Sequence, residues 1–235
     1  MKILVSGGNG KFAKELQLQN SNFELILLSK EEMDITNLSS INDAITKYNP
    51  DVFIHTAALS RPMILHDTDP AKSIQLNIIG TSNCVLACLQ CNIKLVYIST
   101  DFIYPGINGN YKETGPIHPV NKYAWSKLGG ECSCMLYENS LILRIGMFAK
   151  PFPHDKAFVD SFKSPIWNDE AAKITLQLIE LGATGIYNVG GEKKSIYDFV
   201  IREKNNILKE SKDNIKETVP SDISMDLTKL NNILT

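Results

Sequence analysis

Tyr123 and Lys127 stand four residues apart in the stretch NKYAWSKLGGE. On a helix that spacing puts both side chains on one face. A lysine ammonium beside a phenol favours the phenolate and lowers the tyrosine pKa from its ordinary value of about 10. Such a tyrosine can pass a proton to a carbonyl oxygen while hydride arrives at the carbon. Upstream, the stretch LVYISTDFIYPG carries hydroxyls at Ser99 and Thr100. Thr100, with Ser99 in reserve, can donate a hydrogen bond to the same carbonyl. Asp101, Phe102 and Tyr104 follow directly, and substrate contacts are expected there. Trp125 lies between the tyrosine and the lysine and reads either as a substrate platform or as packing.

A second chemistry-bearing stretch opens the chain: KILVSGGNGKFAKEL, an apolar run, three glycines and a helical pattern. Gly7, Gly10 and Ala13 occupy the positions of G-x-x-G-x-x-G. Gly7 permits a tight turn out of a strand. Gly10 lets backbone amides approach a pyrophosphate seated on the helix N-terminus. Alanine can serve at the third position, where close helix–strand packing is needed. Gly8 and Asn9 suit unusual backbone dihedrals. A glycine-rich turn that binds nothing is the alternative, but the place of this one, between first strand and first helix, favours a dinucleotide. The second strand, LILL, is followed by Ser29 and Lys30. A basic residue there accommodates a ribose 2′-phosphate, so Lys30, with Ser29 as a hydrogen-bonding partner, favours NADPH and leaves NADH open.

The elements that must position these residues alternate. Strand patterns cover 2–6, 24–28, 51–55, 94–99, 141–145 and 185–190, and helical patterns lie near 10–19, 39–48, 70–91, 120–138, 169–182 and 195–209. Several strands are continuously apolar, as expected where both faces are covered. This predicts an α/β fold, a Rossmann-type doubly wound parallel sheet with right-handed crossovers. The ligand crevice of such a sheet lies at the strands' carboxyl ends, where Ser99 and Thr100 fall. Residues 1–145 read as the dinucleotide-binding part, and 146–235 as a reduced substrate-side part interleaved with the last strand and helix. The last 30 residues, rich in Lys and Asn, read as a surface helix and a short tail.

At 235 residues the chain can bury one sizeable core. With 43% apolar and 21% charged residues and a net charge of −2, it offers no basic footing for nucleic acid or an anionic membrane. No apolar run approaches membrane-spanning length and no leader is apparent, so the cytoplasm is the expected compartment. No metal-ligand spacing is seen. Cys84, Cys88 and Cys91 share one helical face and read as reduced, buried small apolar residues.

Taken together, GGNGKFA, MDITN, DVFIHTAA, LNIIGTSN, YISTDFIYPG, GNYKETGPIHPVNKYAWSK and GIYNVGG resemble the extended short-chain dehydrogenase/reductase family. The resemblance implies Thr100, Tyr123 and Lys127 as a catalytic triad. It implies cofactor contacts from Gly7, Asn9, Gly10, Lys11, Phe12, Ser29 and Lys30. Asp34 and Ile35 would lie beside the adenine, and His55, Thr56, Ala57 and Ala58 along the third strand's end. Asn77, Tyr123 and Lys127 would complete the cofactor site. It implies Arg144 at the start of the segment over the nicotinamide, and Trp167 on the substrate side with Thr100, Asp101, Phe102 and Tyr104. Other readings stand beside these: Asp34 as an acid at a helix start, Ala57 and Ala58 as packing, Asn77 as a helix-interior hydrogen-bonder, His55 as a satisfied buried histidine.

The implied activity is NAD(P)H-dependent reduction of a nucleotide-linked 4-keto-6-deoxy sugar. The 4,6-dehydratase branch has a glutamate where Phe102 stands. A C4 epimerase, and a regulatory or scaffolding subunit that binds the cofactor without turnover, are the alternatives. A homodimer through helix 70–91 or the Tyr123 helix is the assembly the resemblance leaves open. The match weakens after the fifth strand. Ser161, Lys163 and Ile166 replace the Gln, Gly and Thr of the family's V-x-D-Q-x-G-x-P-T region, and the substrate-side segment is short.

Overall fold

The computed structural model describes residues 1–215 and 219–235. Its centre is a six-stranded parallel sheet built from β1 (Lys2–Ser6), β2 (Glu24–Leu28), β3 (Val52–His55), β4 (Lys94–Thr100), β5 (Ser140–Ile145) and β6 (Gly185–Val189). The strand order is β2-β1-β3-β4-β5-β6, so the winding reverses between β1 and β3. A crevice opens at such a reversal, outside the strands' carboxyl ends.

The continuously apolar strands are explained by two cores. Ile3, Val5, Ile54, Val96, Ile98, Leu141 and Leu143 point to one face, against Phe12, Ala13 and Leu16 of helix α1 (Lys11–Leu18). Leu4, Phe53, Leu95, Tyr97 and Ile142 point to the other. There they meet Ile41, Ala44 and Ile45 of α2 (Leu38–Tyr48), and Cys84, Val85 and Cys88 of α3 (Pro70–Cys91). Helix α4 (Lys122–Cys134) adds Cys134 to that face, and α5 (Asn168–Glu180) adds Ala171, Ala172, Leu176 and Ile179 to the first. Polar caps fix where helices begin. The Asn37 side chain accepts from Ser39 N, and the Asn121 side chain accepts from Ala124 N at 2.8 Å, which sets the register of the Tyr123 helix.

Four expectations are corrected. The helix expected over 195–209 stops early. Only Ile196–Val200 is helical, and after the polar run ending in Asn205 and Asn206 the chain forms a strand, Leu208–Glu210, paired with Lys156–Phe158. Asparagines compete for the backbone and disfavour helix interiors. The last 30 residues are more than a surface helix and tail. Ile223 and Met225 are buried against Tyr104 and Tyr111, and a helix follows over Thr228–Leu234 with Leu230 buried; the part of that stretch at 216–218 lies outside the described residues. Helix α3, at 22 residues and mean hydropathy 1.2, is long and apolar enough to cross a bilayer, contrary to the sequence expectation. It packs by one face against β3, β4, α2 and α4. Lastly, Cys91 is exposed, while Cys84 and Cys88 are buried free thiols, so the three cysteines do not share one burial.

Beyond β5, short strands pair outside the main sheet. Met147–Phe148 pairs with Ile166–Trp167, and Phe162–Lys163 pairs with Lys194–Ser195. Strand β6 and α5 of this part belong to the main sheet and its flank.

Candidate active site

The turn between β1 and α1 has the bare backbone a pyrophosphate requires. Gly7 has φ +68°, and a Cβ there would stand 2.9 Å from Ala57 N and Cα. Gly8 has no positive φ; a Cβ on it would meet Leu27 and Leu28 at 2.8–2.9 Å, so glycine serves close approach there, not an unusual dihedral. Asn9 also keeps an ordinary φ. Gly10 N donates to Gly7 O at 2.8 Å and caps α1 without any side-chain acceptor, and no acidic residue sits in the first turn. The first amides of α1 therefore remain available to an anion. Asn9, Gly10 and Lys11 are exposed at this turn, whereas the Phe12 side chain is in the core and only its backbone faces outward. These residues fit a dinucleotide.

The neighbouring strand ends close around the turn. The Thr56 hydroxyl donates to Ser6 O at 2.6 Å, and Thr56 N and Ala57 N donate to Ser6 Oγ. Ser6 Oγ lies 2.9 Å from His55 Nδ1, and His55 Nε2 lies 3.0 Å from Thr81 Oγ1. Since the Thr81 hydroxyl donates to Asn77 O, it accepts from Nε2–H, and Nδ1 accepts from Ser6. Burial, and next the charge of Lys127, hold His55 down at about 3, so it is a neutral, satisfied histidine that ties β1 to α3. Ala58 is half-buried beside this junction.

Lys30 is exposed past β2, while Ser29 N donates to Glu32 Oε2 at 2.9 Å. The Asp34 carboxylate accepts from Thr36 N and the Thr36 hydroxyl at 2.9 and 2.8 Å; these bonds hold its pKa below the ordinary value. It closes a local turn before α2. Ile35 is 4% exposed and seated on Gly80, so its side chain is core.

Asn77 is fully buried in a π-helical turn, Ile74–Gly80, inside α3. Its amide donates to Leu59 O at 2.9 Å and to Ser126 Oγ at 2.8 Å, and its oxygen accepts from Leu59 N at 2.7 Å. Ser126 donates to Tyr123 O at 2.7 Å. Asn77 thus fixes the loop after β3 to the tyrosine helix. Gly130 admits the close crossing: a Cβ there would meet Asn77 O at 2.5 Å and Tyr97 Oη at 2.8 Å. Neither the π turn nor Gly130 stands out in the sequence, although widened turns often mark working sites.

At the end of β4, Thr100 Oγ1 donates to Asp101 Oδ1 at 3.3 Å and accepts from Phe102 N at 3.3 Å, with the Tyr123 phenol beside it. Burial, then the Asp101 carboxylate, push Tyr123 up to about 12, against Thr100 and Arg61. The expectation that Lys127 lowers this phenol is not met. Its ammonium lies over the Tyr97 ring, and burial pulls it to about 8 against Cys134 and Glu131. The half-buried Tyr123 packs against His66, ring centroids 5.2 Å apart.

Three expected contacts are structural. Tyr104 is fully buried; its hydroxyl donates to Asn188 Oδ1 at 2.6 Å and accepts from Arg144 at 2.9 Å. Arg144 is consumed in turn by Glu131, at 2.6 Å, and by the Glu113 carbonyl. Trp167 is 5% exposed and stacks on Phe199 at 4.5 Å within a side cluster that includes Phe152 and Val200. Phe102 is half-buried under the Lys163 ammonium, and Trp125 is exposed on the outer face of α4. Asp101 is 1% exposed and paired with Lys163.

Comparison with known proteins accords with this arrangement. The chain is 28% identical over 227 residues to a dTDP-4-dehydrorhamnose reductase of Aggregatibacter actinomycetemcomitans, covering 85% of this chain and 77% of that one. Several other curated relatives match over 46–52% of their own length. Among solved structures, a hypothetical dTDP-4-dehydrorhamnose reductase from Sulfolobus tokodaii superposes with TM-score 0.87 at 28% identity, over 100% of this chain and 95% of that one. A dTDP-4-dehydrorhamnose reductase from Bacillus anthracis in complex with NADP also gives TM-score 0.87, at 23% identity over 98% and 92% of the two chains, and shares the fold. Residues 1–150 match the family model described as the RmlD substrate binding domain, and the chain belongs to that family.

Proposed function

We propose that this chain is an NADPH-dependent reductase of a nucleotide-linked 4-keto-6-deoxy sugar, of the dTDP-4-dehydrorhamnose type. The observation that carries the reading is Thr100 and Tyr123 side by side at the carboxyl end of β4, on the same edge of the parallel sheet as the Gly7–Gly10 turn. The relatives' names, and the NADP complex of the Bacillus anthracis reductase, support substrate class and cofactor.

When bound, NADPH supplies the hydride. Gly7, Gly10 and the first amides of α1 receive its pyrophosphate, and Lys30 receives the 2′-phosphate. Thr100, its own proton turned to Asp101, holds the Tyr123 hydroxyl beside the substrate carbonyl. Tyr123, protonated at neutral pH, gives its proton to the developing alkoxide. Lys127, one helical turn on and held over the Tyr97 ring, would hold the cofactor's ribose. We also propose a second copy of the chain as its partner, through the apolar outer surface bearing Ile74, Leu86, Leu89 and Trp125. Five free cysteines suit a reducing compartment, the cytoplasm.

The test is NADPH oxidation with a panel of dTDP- and UDP-linked 4-keto-6-deoxy sugars. Oxidation equimolar with product is expected. Tyr123→Phe should lower kcat by about 10²–10⁴ while NADPH still binds. Binding without oxidation on every sugar would indicate a non-catalytic subunit, and product without net oxidation would indicate an epimerase.

A further inference from the structure

Lys163 stands where the family's pattern carries glycine, and its surroundings give it a task. Its Nζ lies 2.9 Å from Asp101 Oδ2, with side chains 6% and 1% exposed. The ammonium lies 4.3 Å from the Phe102 ring centroid and 5.3 Å from that of Phe148. Asp101 is pressed on bare backbone: a Cβ on Gly146 would reach Oδ2 at 2.5 Å. The other carboxylate oxygen accepts the Thr100 hydroxyl. With that proton turned to Asp101 and Phe102 N donating to the Thr100 oxygen at 3.3 Å, that oxygen keeps a lone pair for the neighbouring Tyr123 phenol. One directed chain therefore runs from Thr100 through Asp101 to Lys163, with Tyr123 beside its open end.

We propose that Lys163 is a positioning residue for proton transfer: it neutralises the buried Asp101 carboxylate and holds the Thr100 hydroxyl turned toward it, so that Tyr123 keeps its donor orientation. The proposal rests on the reductase reading of this site. The alternative state is an unpaired buried carboxylate, which would take up a proton and then compete as a donor for Thr100. Burial already pushes the Asp101 carboxyl above its ordinary value, and Lys163 is the first group opposing that rise. The other charged or titratable groups around Tyr123 are Arg61 and His66 from the chain after β3, Tyr97 from β4 and Lys127 from its own helix.

The experiment compares Lys163→Met, Lys163→Arg and the double variant D101N/K163M with wild type. Readouts are kcat and KM against pH, NADPH affinity by fluorescence, and the Asp101 titration by carbon-13 NMR. In K163M the Asp101 carboxyl should titrate at least about one unit higher, and kcat should gain a limb between pH 5 and 8 worth about tenfold, with NADPH affinity retained. The double variant should lack that limb, and K163R should keep the wild-type profile. A K163M profile parallel to wild type with an unmoved Asp101 titration would overturn the proposal, as would a change in KM alone. If wild type turns over no nucleotide sugar, the reductase reading fails, and the NMR titration still decides the pairing.

Discussion

The ammonium of Lys127 lies 4.1 Å above the ring of Tyr97, and the Tyr97 hydroxyl donates to the carbonyl of Lys127 itself at 2.9 Å. Each residue holds the other, so the lysine is fixed on the aromatic face before any ligand arrives. Burial lowers the Lys127 pKa to about 8. The unfolded chain keeps its lysine near 10.5, so below pH 8 the folded state carries a buried charge at a cost, and it gains stability as pH rises from about 8 to 10.5. Lys127→Met should remove that gain. Urea unfolding of wild type and variant at pH 7 and pH 10 measures it; a constant difference between the two proteins would refute the assignment.

Gly7→Ala should damage both fold and cofactor binding. The backbone is at φ +68°, and the new methyl would sit 2.9 Å from Ala57 N. Strain of this kind costs about 1–3 kcal/mol. A lower Tm is expected, with NADPH affinity reduced more than tenfold. Unchanged affinity would mean that the turn does not face the cofactor.

The Arg144–Glu131 pair is buried at 1% and 0% exposure. Glu131→Gln leaves the guanidinium uncompensated, at a cost of about 3–5 kcal/mol. The double change E131Q/R144M should recover much of that loss, because it removes the stranded charge. Denaturant unfolding reads both variants.

Lys30→Ala should weaken NADPH by roughly tenfold and leave NADH nearly unaffected, since a charge-assisted hydrogen bond contributes about 1.5–3 kcal/mol. Steady-state KM for each cofactor tests this. Equal losses for both would place Lys30 away from the 2′-phosphate.

The sheet was legible because its strands are apolar on both faces and its helices keep a 3.6-residue period, both properties of short stretches. The Gly7–Gly10 turn and the Tyr123–Lys127 spacing were legible for the same reason. What lay hidden depends on partners far apart in the chain. Tyr104 looks like a pocket residue until Asn188, 84 positions on, takes its hydroxyl, and Asn77 gains its role from Ser126, 49 positions on. Trp167 looks available until Phe199 covers it. Lys163 reads as a departure from a pattern, and only Asp101 gives it a partner. The direction of the Tyr123 shift was missed because helical spacing places Lys127 on the right face but does not say that Tyr97 lies beneath it.

Residues 220–226 close the wall outside β4. Ser221 N and Asp222 N donate to Gly106 O, Phe162 N donates to Ser221 O, and Ile223 N returns the bond to Phe162 O. One late stretch therefore stitches the loop after Thr100 to the strand that carries Lys163. A ribosome-bound chain lacking that stretch could assemble the cofactor cradle, yet it would leave the proton-delivering corner ajar. Competence for reduction should thus arrive only once residues 220–226 have been made and have docked.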